Sequence, residues 1–383
     1  MFRGTRITCP KGGYHLEQLK CIGCGSVIQS EDKTKEGFIP ASALEKNEGD
    51  VVCQRCFRLR HYNEIMPSTL TDDDFLQMLH HISEERGLVV LLVDLFDFNG
   101  SWVRGLNRFV GQNDILLIGN KIDLLPKSVN RGRIRHWLQK EASDLGLKSV
   151  DAALISSVTG EGIEKAMEKV DHYRKGKDVY IVGSTNVGKS TFINKIIEQT
   201  TGLDELITTS YFPGTTLGMV EIPLDDGQVL IDTPGIINDH QIIHLLDERD
   251  LKAVLPRKEV KPKTHQLNEG QSLLLGGLAQ FDFLSGDRTA YTVYVSRDVH
   301  VHRTKTEKAA NLRTERTGEL LTPPMPKSET VLPEFVRQEF TIREPKTDVA
   351  ISGLGWITVH HANVRIAIHA PKGVDVVLRS SLV

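Results

Sequence analysis

Residues 183–191 read "GSTNVGKST", and residues 119–123 read "GNKID". From Gly183 to Ser190 the first stretch fits the pattern G-x-x-x-x-G-K-[ST]. It follows the apolar "DVYIVG" and precedes the helical "STFINKIIEQ", the strand-then-helix setting that a phosphate loop requires. Its glycines let backbone N–H groups approach phosphates, and the helix N-terminus adds positive potential. Lys189 is placed to reach the β- and γ-phosphates, and the Ser190 hydroxyl to bind Mg²⁺. Ser184, Asn186, Val187, Gly188 and Thr191 complete the cradle.

Outward from this loop, strand-like and helix-like stretches alternate. "GLVVLLVDL" (87–95) and "DILLIGN" (114–120) are continuous apolar runs, as expected of strands covered on both faces. "VDAALISS" (150–157) and "DVYIVGS" (178–184) follow. Stretches 101–111, 128–145 and 161–175 read as helices, and "MVEIPL" with "GQVLIDTPG" as a hairpin around "DDG". The fold class is therefore α/β, with a mostly parallel sheet and helices on both faces.

"GNKID" ends one of the buried runs. Asp123 can accept hydrogen bonds from guanine N1 and N2, a donor pair that adenine lacks. Asn120 would tether neighbouring loops and contact the base, and the aliphatic stem of Lys121 would cover its face. In "ISSVTGEG" (155–162), Ser156 and Ser157 are placed to offer backbone N–H groups to guanine O6. In "IDTPG" (231–235), Asp232 can hold Mg²⁺ through water and the Gly235 N–H can meet a γ-phosphate. "YFPGTTLG" (211–218) supplies the remaining Mg²⁺ hydroxyl, from Thr216 or, as second choice, Thr215. Lys189, Thr216, Gly235 and Asn186 are the expected catalytic set. The parts run base reader, base loop, phosphate loop, Thr switch, D-x-x-G. That is a rotation of the common order, reached by joining the helix at 161–175 to the strand at 178–183 without moving any strand.

The 383 residues suggest two or three domains. The expected division is a zinc-binding module of four cysteines at 1–65, the permuted domain at 66–250 and a mainly β domain at 251–383. These carry net charges of +2, −10 and +5, so a polyanion should meet the ends. The longest apolar run, "LVVLLV", is far shorter than the roughly 20 residues of a membrane span, and the N-terminus has no apolar segment of the secretion type. A cytoplasmic protein without membrane contact is expected, as a monomer, with no DNA partner.

Cys21, Cys24, Cys53 and Cys56 form two C-x-x-C pairs. Four thiolates suit a closed tetrahedral Zn²⁺ site that supplies folding energy; Cys9 is read as a spare thiol. After the last pair, "FRLRHY" (57–62) alternates basic and aromatic residues, which suits RNA or a merely solvated face. "SRDVHVHRTKTEKAANLR" (296–313) concentrates His300, His302, Arg303, Lys305, Lys308 and Arg313. An RNA-facing surface is preferred there to a metal site, and a plainly solvated basic stretch is an equal alternative. Stretch 252–264 reads as a linker or exposed loop, and 321–330 as a loop.

"CIGC…CQRCFRLRHYN", "NKID", "GSTNVGKST", "FPGTT", "DTPG" and "GLGW" together resemble the circularly permuted ribosome-assembly GTPases, most closely the YqeH-like group. The resemblance spans about residues 20–370. It implies GTP hydrolysis to GDP, a role in assembly of the small (30S) ribosomal subunit, and a C-terminal RNA binder. Asn186 is similar to the phosphate-loop Asn of GTPases that use K⁺; the alternative is that it only shapes the loop. Ile236 and Ile237 follow Gly235 where other GTPases carry a water-orienting Gln, so slow basal turnover is expected. A reading from another class is an RNA- or protein-binding module with GTP as a structural ligand and negligible turnover.

Overall fold

The structure is a computed structural model that describes residues 28–31, 37–39, 82–201, 220–233 and 235–383. The five cysteines, the "FRLRHY" stretch and the Thr215–Thr216 switch lie outside the described residues.

Strands β1 (Gly87–Asp94), β2 (Asp114–Asn120), β3 (Asp151–Leu154), β4 (Asp178–Gly183), β5 (Val220–Pro223) and β6 (Val229–Asp232) form one sheet in the order β3-β2-β1-β4-β6-β5. All pairs are parallel except β5–β6. The continuous apolar runs are the central strands, and β1 is buried along its whole length. Its side chains alternate between two cores. Val89, Leu91 and Val93 enter one, and Leu88, Val90 and Leu92 the other, as the two-residue period of a strand dictates. The first three strands step outward from β1, and the chain then returns to lay β4 on β1's other side. That reversal opens a crevice beyond the C-terminal ends of β1 and β4, where open α/β sheets bind ligands.

Helices α2 (Arg131–Asp144), α3 (Ile163–Arg174) and α4 (Lys189–Thr201) connect the strands. The helix expected at 101–111 does not form. A four-residue helix α1 (Phe98–Ser101) ends at Trp102, whose backbone is extended, and Gly105 at φ 73° leads only into a 3-10 turn. The linker expected at 252–264 begins inside helix α5 (Glu248–Val254), capped by Asp247, whose side chain accepts from the Asp250 N–H at 2.8 Å.

Beyond residue 262 the chain is mainly β. Strands β7 (Lys263–Leu267), β10 (Thr289–Val295), β13 (Thr347–Ile351), β14 (Gly355–Val359) and β16 (Val376–Ser380) form one antiparallel sheet. Strands β8 (Gln271–Leu275), β9 (Ala279–Ser285), β11 (Val301–Lys305), β12 (Phe335–Ile342) and β15 (Val364–Pro371) form a second. Phe281, Phe283, Tyr291, Ile357 and Ile368 share the core between them. One helix, α6 (Thr306–Arg316), interrupts the strands inside the basic stretch.

This β region is not tethered loosely. Tyr294, Ala350, Trp356 and Leu382 belong to the same core as Phe96, Trp137 and the inner face of the first sheet. Trp356, from "GLGW", stacks on Tyr294 at 4.7 Å and lies 5.6 Å from Phe96. Trp137 Nε1 donates to the Ser380 carbonyl at 2.9 Å. Arg379, with its side chain 2 % exposed, donates to Asn99 Oδ1 at 2.8 Å and lies 5.2 and 5.4 Å from the Trp137 and Trp356 rings.

Candidate functional site

The crevice at the C-terminal strand ends collects the sequence motifs. The phosphate loop leaves β4, and Lys189 and Ser190 open α4. Asn186 (φ 64°) and Gly188 (φ 90°) both adopt left-handed backbone. Asn tolerates that region. At Gly188 a Cβ would stand 2.4 Å from Asn120 Nδ2, so both conformation and space demand glycine there.

Asn120 is the junction of three loops. Its Nδ2 donates to the Val187 carbonyl at 2.7 Å. Its Oδ1 accepts from Lys121 N (2.8 Å), Ser157 N (2.9 Å) and Ser157 Oγ (3.0 Å). A residue 67 positions before Val187 in the chain thus fixes the phosphate loop, the base reader and the base loop together. Asp123 sits on the 3-10 turn Ile122–Leu124, half-buried, with no hydrogen-bond partner among the described residues. It is free for a ligand.

The geometry corrects one expectation. The Ser156 N–H donates to the Glu161 carbonyl at 2.9 Å, and the Ser157 N–H to Asn120. Neither is available to guanine O6. The next N–H, that of the exposed Val158, has no such partner among the described residues. Periodicity could not separate these three neighbours, because the turn after β3 decides where each N–H points.

On the phosphate side, the Lys189 ammonium folds onto the Asp232 carboxylate and the Thr233 carbonyl. Burial pushes the Asp232 carboxyl upward, and Lys189 opposes this. The D-x-x-G segment is joined to the phosphate loop by Thr185 N to Ile236 O (2.7 Å) and Ile236 N to Gly183 O (3.2 Å). Gly235 therefore lies against Thr185. Among the described residues, the buried Ser184 and Thr185 hydroxyls have no hydrogen-bond partner. Orphaned hydroxyls, an ammonium and clustered N–H groups fit a bound phosphate chain. Ser190 and Asp232 present the hard oxygen donors that Mg²⁺ takes.

Asp94, which the motifs did not flag, also belongs to the crevice. It ends β1 opposite Asn120 and pairs with the Lys121 ammonium at 2.6 Å. The available signal was an acid closing a wholly apolar strand at the ligand end of the sheet.

Beyond Gly235 the chain runs between the two halves of the molecule. Asn238 Nδ2 donates to the Gly100 carbonyl at 2.9 Å, Gln241 Nε2 to Asp97 Oδ2 at 2.6 Å, and Ile242 N to the Ser352 carbonyl at 2.9 Å. Asp97 Oδ2 also accepts from Gly353 N at 2.9 Å. Burial, followed by the charge of Asp94, raises the Asp97 carboxyl above the usual carboxylate range.

A phosphate loop, a base reader tied to it, and a D-x-x-G strand end define a P-loop GTP-binding protein of the GTPase class, with its motifs in rotated chain order. The comparisons agree. Residues 178–273 match the family described as "50S ribosome-binding GTPase", and residues 288–382 the one described as "YqeH-like, C-terminal". The chain is 54% identical to "Uncharacterized protein YqeH" of Bacillus subtilis over 96% of this chain and 100% of that protein. It is 29% identical to "NO-associated protein 1, chloroplastic/mitochondrial" of Arabidopsis thaliana, over 94% of this chain and 76% of that one. Among solved structures, GNP-bound YlqF from T. maritima is 19% identical over 45% of this chain and 65% of that chain, with a TM-score of 0.30, too low to establish a shared arrangement. The chain belongs to the YqeH-like GTPase family.

Proposed function

We propose that this protein hydrolyses GTP to GDP and phosphate and uses the change as a switch in assembly of the small ribosomal subunit, through RNA contact. The observation that carries the nucleotide part is the Asn120–Val187 hydrogen bond, which assembles base reader and phosphate loop into one site. Asp123, Lys121 and the Val158 N–H read guanine. The phosphate-loop N–H groups and Lys189 bind the phosphates, with Lys189 exchanging Asp232 and Thr233 for phosphate oxygens. Ser190, Asp232 and Thr216 hold Mg²⁺, which neutralises charge on the β- and γ-phosphates. Ile236 and Ile237 bear no polar group to orient water, so basal turnover is slow. Asn186 is the K⁺ contact in this reading, and equal rates in K⁺ and Na⁺ would remove it. Cys21, Cys24, Cys53 and Cys56 bind Zn²⁺.

The RNA part is supported by charge. Burial, followed by the charges of Arg303 and Lys263, lowers the His265 pKa. Arg303 Nη1 donates to the Gln266 carbonyl at 3.3 Å, so strands β7 and β11 bring two cationic segments side by side. The segment after Gly235 touches both halves, so γ-phosphate contact there can bias how the β region meets its partner. The test is co-sedimentation with 30S and, separately, 50S particles, in a non-hydrolysable GTP analogue and in GDP. Tighter association with 30S in the analogue is expected. Equal association in both nucleotides would sink the switch, and preference for 50S would reassign the subunit.

The Ile236–Ile237 pair also favours a second reading, in which GTP is a structural ligand with negligible turnover. Lys189→Ala separates the two. If the wild-type chain binds GTP but turns over no faster than that variant, the second reading holds.

A further inference from the structure

We infer that Asp94 is a positioning residue of the guanine site, acting through Lys121. This rests on the proposed reading of Asn120, Lys121 and Asp123 as the base reader. Lys121 is a non-glycine residue held at φ 65°, a sparsely populated backbone region that persists only where neighbours fix it. Two contacts fix it here. The Lys121 N–H donates to Asn120 Oδ1 at 2.8 Å, and its ammonium reaches Asp94 Oδ2 at 2.6 Å.

Asp94 is itself immobilised. Its backbone N–H donates to Ser101 Oγ at 2.9 Å, and its Oδ1 accepts from the Phe96 N–H at 2.8 Å. The Ser101 hydroxyl donates to the Phe98 carbonyl at 3.1 Å. Register sets the pair: Asp94 lies opposite Asn120 on adjacent parallel strands, so the residue after Asn120 starts beside the carboxylate. A free lysine side chain has four flexible carbons and samples many rotamers. Clamped at both ends, the Lys121 stem is a preformed wall for one face of the base, and little freedom remains to be lost on binding. Asp94 touches no part of the ligand in this arrangement. Its contribution passes through the lysine.

The experiment measures GDP and GTP affinity by calorimetry in Mg²⁺ for the full-length chain, for Asp94→Asn, for Lys121→Met and for the double variant. Lys121→Met keeps the stem and removes the anchor. Each single variant should bind GDP and GTP about tenfold more weakly, by the same factor for both nucleotides. The double variant should be no weaker than either single one. Multiplying losses, or a Lys121→Met chain that binds like wild type, would overturn the inference. If Asp94→Asn does not fold, Lys121→Met alone still decides. A wild-type chain that fails to bind GDP would instead overturn the guanine-site reading itself.

Discussion

Asn120 and Val187 are joined by a 2.7 Å hydrogen bond across 67 residues of chain. The bond accounts for the early position of "GNKID": the motif keeps its place beside the phosphate loop although the chain ends have moved. Asn120→Ala would leave the Ser157 N–H and hydroxyl, both buried, without their acceptor. An unsatisfied buried donor costs about 1–3 kcal/mol. GDP affinity should fall about tenfold or more, with a lowered melting temperature, both readable by calorimetry.

Gly188→Ala tests the same junction from the other side. A Cβ there would stand 2.4 Å from Asn120 Nδ2 at φ 90°. Nucleotide binding should be lost while the β region remains folded, which circular dichroism and GDP titration would register together. Retained GDP affinity would mean that the loop relaxes freely.

Asp123→Asn should lose preference for guanine. The carboxylate has no protein partner among the described residues, so its accepting capacity is left for the base. Removing one such contact should weaken GDP about 10- to 100-fold. Competition among GDP, xanthosine diphosphate and ADP measures the change.

Arg379→Ala should separate the two halves. The guanidinium lies between Trp137 and Trp356, donates to Asn99, and stands 3.8 Å from the buried Asp348. Removing the cation strands a buried carboxylate, at about 3–5 kcal/mol. Urea unfolding, followed by tryptophan fluorescence, should shift from one transition to two. An unchanged single transition would count against a tightly docked β region.

Acid should weaken the β region through Asp282. Burial pushes this carboxyl up, but hydrogen bonds from His369 (2.8 Å), Ser272 (2.6 Å) and Gln280 (2.7 Å) outweigh it and hold the group below its ordinary value. A depressed folded pKa gives stability that is fully present above the ordinary carboxylate range and is lost as pH falls through the folded value. Asp282→Asn should cost about 1–3 kcal/mol at neutral pH. The gap from wild type should close on acidification, as urea titrations at several pH values would report.

Much of the site is legible in the sequence. The phosphate loop, "NKID" and "DTPG" are defined by residue type and spacing, since phosphate and guanine chemistry demands glycines, an amide, a lysine and a carboxylate at fixed offsets. The apolar runs at 88–93 and 115–118 located the central strands, because a strand covered on both faces has little room for polar residues. The helix expected at 101–111 does not form, because Trp102 is extended and Gly105 turns the backbone left-handed.

What the sequence determined by itself is the set of chemical groups and the rotated order in which they occur. Only the tertiary structure decided which of them touch. It engaged the Ser156 and Ser157 N–H groups within the protein and left that of Val158 unpaired among the described residues. It set Asp94 on Lys121 and wedged Arg379 between two tryptophans. The reason is physical. Residue type and short-range spacing record local periodicity and the chemistry of each side chain. A hydrogen bond between residues far apart in the chain depends on strand register and on the direction of a turn, which are fixed only when the whole core packs.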